Sequence, residues 1–365
     1  MKNIFLLLSS IVFSLCLGEA VLRYVLRWIP IDIIGAPTFI SERGYTLNPS
    51  SGEAMHQFEK RIAKYHYYPP HLRDTKVDPN AQHILVLGDS FTFGWLLPWN
   101  HTFVYHLQVS TDKAFPSQKY QFLDAGTGGW GTADYLSYLE EYGAKVSPKF
   151  VIVFLNTDDI GRAIKKNIYT LANPNSLQLE NNFHPVPREG IKKIVYNTWI
   201  FKHSVLIHFI RYLISTLIHI HSKKLPDTSQ TNGHLIPTSQ NLIFHNQFSA
   251  RLGEALFLRI NQWCLQHHAK LLVVTTGFDA FYPADLHDPT KAFLTIAPAF
   301  FQKENIAFYD TAKPFKKLIA GKIFQIPGDQ HPNSVGAQAI ANASWPWIKK
   351  QLNNKDHAAN LKNLI

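Results

Sequence analysis

Cysteine is nearly missing from these 365 residues: only Cys16 and Cys264 occur, which excludes a disulfide framework and a cysteine-rich zinc module. Acidic residues are also few, 26 Asp+Glu against 36 Lys+Arg, so the chain carries +10 with histidine neutral, and its 18 histidines add charge in mildly acidic surroundings. That excess favours anionic membranes, acidic glycans or nucleic acid as surroundings and identifies none of them. No dense Lys/Arg stripe adjoins an aromatic platform, so a nucleic-acid partner is not expected. No nucleotide-binding site is expected, and there is no internal repeat or low-complexity tract. What is present, 46% hydrophobic and 17% charged residues, is the composition of an ordinary folded protein with room for a main domain and an insertion.

Lys2 precedes a nearly unbroken apolar run from Ile4 to Gly18, which continues past Glu19 as Ala20-Val21-Leu22 and Tyr24-Val25-Leu26. A basic start before such a run reads, over residues 1–28, as a signal anchor or a signal peptide. No clean small-x-small cleavage site follows, and Cys16 lacks the small residues that precede a lipidation site. In either case the body lies outside the cytoplasm. Residues 29–80, with Pro, Gly, Ser and scattered aromatics, read as irregular chain wrapping a core.

From Ile84 the pattern changes. Ile84-Leu85-Val86-Leu87, Phe150 to Leu155 and Leu271-Leu272-Val273-Val274 are short apolar runs of the kind that form buried strands. Between them one helix is expected from near Thr132 through Leu136, Leu139 and Glu140, and another carries Leu252, Leu256, Ile260 and Trp263 at helical spacing. Alternating strands and amphipathic helices predict an α/β protein, a three-layer α/β/α sandwich with a mainly parallel central sheet. Residues 162–246 interrupt the rhythm and are expected to form an inserted helical cap. Within it the apolar segment from His203 to Ile214 is expected to be a cap helix folded on the main domain, with a membrane-surface helix or a span as alternatives, and Lys202, His203, His208 and Arg211 make a full span costly. Residues 351–365 are a polar tail.

Three stretches carry chemistry. Gly88-Asp89-Ser90 ends a strand in a tight turn, where a serine can present both its hydroxyl and its N–H to one substrate atom; the same residues also suit a plain helix cap. Gly126-Thr127-Gly128-Gly129-Trp130-Gly131 sets glycines before a helix, where a backbone N–H is open to close approach, or where a loop is simply forced to bend. Gly328-Asp329-Gln330-His331-Pro332-Asn333 offers a histidine to take a serine proton and an aspartate to hold its tautomer, ahead of a helix capped by Asn333.

Together these blocks resemble the SGNH (GDSL-type) hydrolase family, in order over about residues 80–350, and most nearly its bacterial members with an N-terminal anchor. The resemblance implies a flavodoxin-like domain over 81–350, with Ser90 as nucleophile, His331 as base and Asp329 as its partner. It implies an oxyanion hole from the Ser90 and Gly129 N–H groups, and no metal or organic cofactor. One residue, not two, separates Asp329 from His331, a departure from the usual closing block. A second departure is Leu155-Asn156-Thr157-Asp158-Asp159, where the family has Gly-x-Asn-Asp. Direct alignment sets Asp158 at the amide donor's position, where an ionised carboxylate only accepts hydrogen bonds. Either Asp158 is protonated, or Asn156, on the same side of an extended strand, supplies the amide, or the pocket has altered chemistry.

Trp95, Trp99 and Trp130 adjoin these blocks and would suit an acyl chain or a sugar face, although ordinary core packing is the preferred reading of them. The implied function is that of a serine esterase or deacetylase acting on an O-acylated glycan or lipid of the cell envelope, at the bacterial inner membrane facing the periplasm, or within the periplasm if the N-terminal segment is cleaved. An envelope O-acyltransferase or a catalytically weak scaffold on the same fold are the alternatives.

Overall fold

A computed structural model describes residues 2–28, 31–32, 38–156, 158–173, 176–183, 204–222, 239–278 and 289–354. The chain opens with helix α1 (Lys2–Ala20), which continues as a wider turn over Val21–Val25. Residues 3–25 are long and apolar enough to cross a membrane, and none of that segment's most apolar window is buried in the protein.

The strands are β1 (Ile31–Asp32), β2 (Phe39–Ile40), β3 (Thr46–Leu47), β4 (Gly52–Phe58), β5 (Arg61–Tyr68), β6 (Leu72–Arg73), β7 (Gln82–Leu87), β8 (Tyr120–Asp124), β9 (Phe150–Leu155), β10 (Tyr169–Leu171), β11 (Leu179–Asn181), β12 (Lys270–Thr275) and β13 (Ala307–Tyr309). The central sheet runs β1-β4-β5-β6-β8-β7-β9-β12-β13. From β8 to β13 all pairings are parallel, with Ile84 opposite both Phe122 and Phe150, and Leu272 opposite both Ile152 and Ala307. Within that parallel part the strand order reverses at β7, and ligands in open α/β sheets bind beyond the carboxyl ends of strands at such a point.

Period-two alternation sends side chains of the apolar strands to two separate cores. Leu85, Leu87, Val151, Val153, Leu271 and Val273 face α4 (Thr132–Tyr142), α7 (Ser239–Gln266) and α8 (Pro289–Lys303), which contribute Leu136, Leu256 and Phe301. Ile84, Val86, Ile152, Phe154, Leu272 and Val274 face α3 (Phe103–Ala114), α9 (Ala312–Ile319) and α10 (Ser334–Asn353), which contribute Leu107, Phe315 and Ile340. At about 1.5–3 kcal/mol for each fully buried aliphatic side chain, these two cores supply the main driving force for the fold. The expected three-layer α/β/α sandwich is therefore present.

Residues 29–80 are not irregular throughout. β4 and β5 form an antiparallel hairpin from Gly52↔Tyr67 to Phe58↔Arg61, and β6 joins it to β8. Its inward residues are Ala54, His56, Ala63, Tyr65 and Tyr67, whereas Ile62 is 58% exposed. Because small and polar residues face in while an isoleucine faces out, the alternation hardly registers as hydrophobic periodicity.

The expected cap is described in part. Its first residues form α5 (Asp159–Lys166) and the β10–β11 hairpin, whose Tyr169 and Leu171 join the first core. Residues 184–203 and 223–238 lie outside the described residues. Between them α6 (Val205–Ser222) contacts α1 and β1, and α7 begins inside the expected cap at Ser239. Of the expected tail, 355–365 lie outside the described residues.

Candidate active site

The turns after β7, β8, β9 and β12 and the approach to α10 meet at the carboxyl end of the parallel strands. After β7, Asp89 caps the short helix α2 (Ser90–Phe93), its Oδ1 accepting the Phe91 N–H at 2.8 Å. A Cβ on Gly88 would sit 1.9 Å from Thr92 Oγ1, so only glycine permits this turn. The capping reading and the presentation of Ser90 thus coexist.

The Ser90 hydroxyl lies 2.8 Å from His331 Nε2, and His331 Nδ1 lies 2.5 Å from Asp329 Oδ1. A proton on Nδ1, facing the carboxylate, leaves the Nε2 lone pair for the serine hydroxyl to donate to. Asp329 Oδ1 also accepts the His331 backbone N–H at 2.8 Å, so the one-residue spacing closes a local turn that holds ring and carboxylate together. Burial pushes the Asp329 carboxyl up, but the hydrogen bonds and charge of His331 outweigh it and hold it below its ordinary value. Asn333 fixes the direction of the segment by accepting the Val335 and Gly336 N–H groups at 2.8 and 3.1 Å as the cap of α10.

After β8, Gly126 packs so closely on α2 that a Cβ would approach the Phe93 nitrogen to 2.6 Å. The Thr127 N–H donates to the Gly88 carbonyl at 3.2 Å, tying the glycine loop to the serine turn. Gly129 has φ +75°, in the left-handed region, with open space where a Cβ would lie, and its carbonyl accepts Lys166 Nζ at 2.8 Å. Below the loop, burial pushes the Asp124 carboxyl up to about 8, against the opposing influence of Arg73 and the Gly126 N–H.

After β9, Asn156 and Asp158 part company. Asn156 is buried; its amide donates to Asp89 Oδ2 at 2.9 Å and its carbonyl oxygen accepts the Thr276 hydroxyl at 2.7 Å. Asp158 sits in the left-handed region at φ +75°, with its side chain 64% exposed and its carboxylate 3.3 Å from Arg162 Nε.

Sequence reasoning missed Arg162 altogether. Its Nη1 donates to Asp89 Oδ2 and to the Trp130 carbonyl, each at 2.9 Å, joining the turns after β7, β8 and β9. Asp159, fully buried, accepts the Asn156 N–H at 2.7 Å and the Tyr135 hydroxyl at 2.8 Å. Burial first and the Asp89 charge second push the Asp159 carboxyl well up, while Arg162 opposes them. The i,i+3 spacing of Asp159 and Arg162 was visible in the sequence; nothing there linked either to Asp89.

The three tryptophans diverge. Trp95 lies against His331, ring centroids 5.1 Å apart at 22°, and meets His56 edge-on at 4.3 Å. Burial pulls the His56 imidazole down to about 4, so it is neutral beside the site. Trp99 packs edge-on against Tyr105 and flanks the second core. Trp130 is fully buried among Tyr45, Tyr135 and Tyr138, its indole N–H donating to the Thr46 carbonyl. Among the described residues no group of three or more His, Cys, Asp or Glu side chains is arranged to hold a metal ion.

No family model matches the chain, and no curated protein matches it. Solved structures similar to it include TesA, 14% identical, covering 74% of this chain and 99% of that one at a TM-score of 0.40. Also similar are the psychrotrophic esterase EstA from Pseudoalteromonas sp., 16% identical over 75% and 100% of the two chains at 0.39, and Axe2, an acetylxylan esterase from Geobacillus stearothermophilus, 13% identical over 73% and 94% at 0.40. All three likenesses are distant.

Proposed function

We propose that this protein is a membrane-anchored serine ester hydrolase that removes acyl groups from an O-acylated glycan or lipid of the bacterial cell envelope. The observation that carries the reading is the unbroken hydrogen-bonded series Ser90 Oγ, His331 Nε2, His331 Nδ1, Asp329 Oδ1, with distances of 2.8 and 2.5 Å. Ser90 Oγ attacks the ester carbonyl carbon as His331 Nε2 takes its proton, and Asp329 stabilises the resulting imidazolium. The oxyanion is held by the Ser90 and Gly129 N–H groups and by the second amide proton of Asn156, whose first is engaged by Asp89. His331 returns the proton to the leaving alkoxide, and water then releases the acyl group from Ser90. Exposed Asp158, beside Arg162, has no part in this scheme.

The apolar α1 segment supports anchoring in the inner membrane, and the body is assigned to the periplasmic side from the resemblance to anchored bacterial hydrolases. The acyl acceptor decides between hydrolysis and transfer to a sugar hydroxyl; hydrolysis is the reading adopted because it needs no second substrate site.

The test is p-nitrophenyl acetate turnover by the purified full-length protein beside Ser90→Ala and His331→Ala, with a fluorophosphonate probe for the serine. Both variants are expected to lose roughly 10⁶-fold in kcat. Undiminished turnover by Ser90→Ala, or neither turnover nor probe labelling by wild type, would overturn the reading.

A further inference from the structure

Helix α6 is tied to the end of α1. Glu19 Oε1 accepts the Val205 N–H at 3.0 Å, and Oε2 accepts the Leu206 N–H at 2.9 Å and the Ser204 hydroxyl at 2.8 Å. One carboxylate from the first helix therefore caps the N-terminus of the second, satisfying donors that a helix start leaves open. Just before it in α1, Gly18 packs beside Leu206, where an added Cβ would lie in ordinary contact at 3.5 Å.

The two sides of α6 differ. Phe209 and Tyr212 face the soluble body: Trp28 lies against them at 5.2 and 6.2 Å, and α6 contacts β1, the edge strand of the central sheet. Ile210, Leu213, Ile214 and Leu217 recur at i, i+3, i+4 and i+7, so they share the opposite face, and they are 43–61% exposed. Leu206 heads the same face, so the stripe starts against α1 and continues its exposed apolar surface.

We propose that α6 is an interfacial helix lying along the bilayer that α1 enters, with Ile210, Leu213, Ile214 and Leu217 among the lipids and its other face carrying the hydrolase body. This rests on the reading of α1 as a membrane anchor. A spanning α6 is disfavoured because its Phe209 and Tyr212 side packs against protein, and because His208 and Arg211 lie within two turns of its start. Glu19 and Arg23, paired at 2.5 Å, put charge near the end of the apolar segment 3–25, and α6 begins beside them. Lipid, rather than protein, is the occupant favoured by the continuity of the stripe with the α1 surface. The body is then held against the membrane at two places, which limits its reach to substrates near the lipid surface.

Cysteine labelling distinguishes the anchor from the interfacial helix. Cys264 is buried, so exposed Cys16 is the labelling site of the wild-type chain and reports on α1. In a Cys16→Ser background, Leu213→Cys and, as a second site, Leu217→Cys report on α6, and Lys350→Cys reports on the body. Each full-length protein carries an NBD fluorophore in vesicles of phosphatidylethanolamine and phosphatidylglycerol. The α6 labels are expected to lose emission to doxyl lipid as the Cys16 label does and to resist aqueous iodide, whereas the Lys350→Cys label is quenched by iodide. Iodide quenching of both α6 labels, with the Cys16 label quenched by lipid, overturns the interfacial helix and leaves the anchor standing. Protection of the α6 labels from both quenchers means that protein covers this face, which also overturns it. A Cys16 label insensitive to doxyl lipid removes the anchor and this inference with it.

Discussion

The indole of Trp95 lies nearly parallel to the His331 imidazole, centroids 5.1 Å apart, and so covers one face of the ring that Ser90 and Asp329 hold at its two nitrogens. In the proposed reaction His331 takes a proton, and that π-face would stabilise the imidazolium by about 0.5–2 kcal/mol. Trp95→Ala should therefore lower kcat by about 10-fold with little change in KM, and Trp95→Phe should restore most of the loss. Steady-state kinetics on p-nitrophenyl acetate check this. Equal kcat in all three proteins would reduce Trp95 to a packing residue.

Asn156 is proposed to share its amide between Asp89 and the oxyanion. Asn156→Ala is expected to lower kcat by about 10²–10³-fold, the loss typical of one oxyanion donor, whereas Asp158→Ala leaves kcat unchanged because its carboxylate faces solvent. Comparing the two variants in one assay decides which residue serves the oxyanion.

Arg162 neutralises Asp89, a carboxylate with no exposure, while its own side chain is 26% exposed. Removing one partner of such a pair leaves a buried charge and costs about 3–5 kcal/mol. Arg162→Met should lower the urea midpoint accordingly and reduce activity by loosening the turns after β7, β8 and β9. A midpoint shifted by less than about 1 kcal/mol equivalent would place this pair among weak surface ion pairs.

Asp124 gives the stability a pH dependence of definite sign. Its carboxyl titrates at about 8 when folded against 3.8 as the ordinary value, so the native state binds the proton more tightly. The stabilisation is complete below the ordinary value and is lost as pH rises through the folded one. Melting temperature should fall between about pH 4 and pH 9 in the wild type and fall less in Asp124→Asn. Thermal unfolding at several pH values reads the difference; parallel profiles would reject it.

The features legible in the chain were local in origin. The apolar runs at 84–87, 150–155 and 271–274 marked β7, β9 and β12, and helical spacing marked α4 and α7, because a buried strand or an amphipathic helix writes its burial into consecutive residues. Ser90, Asp329 and His331 stood out because each lies in a short block whose turn chemistry is visible in a few residues. The β4–β5 hairpin was not legible, since Ala and His face inward while Ile62 faces out. Three pairs arise from the packed fold alone: Arg162 with Asp89, 73 residues apart, Asn156 with Asp89, 67 apart, and Glu19 with Val205, 186 apart. Such contacts are selected by chain closure: a buried carboxylate or an open helix end takes whichever donor or acceptor the packed sheet and helices bring within reach, and no local pattern records that choice.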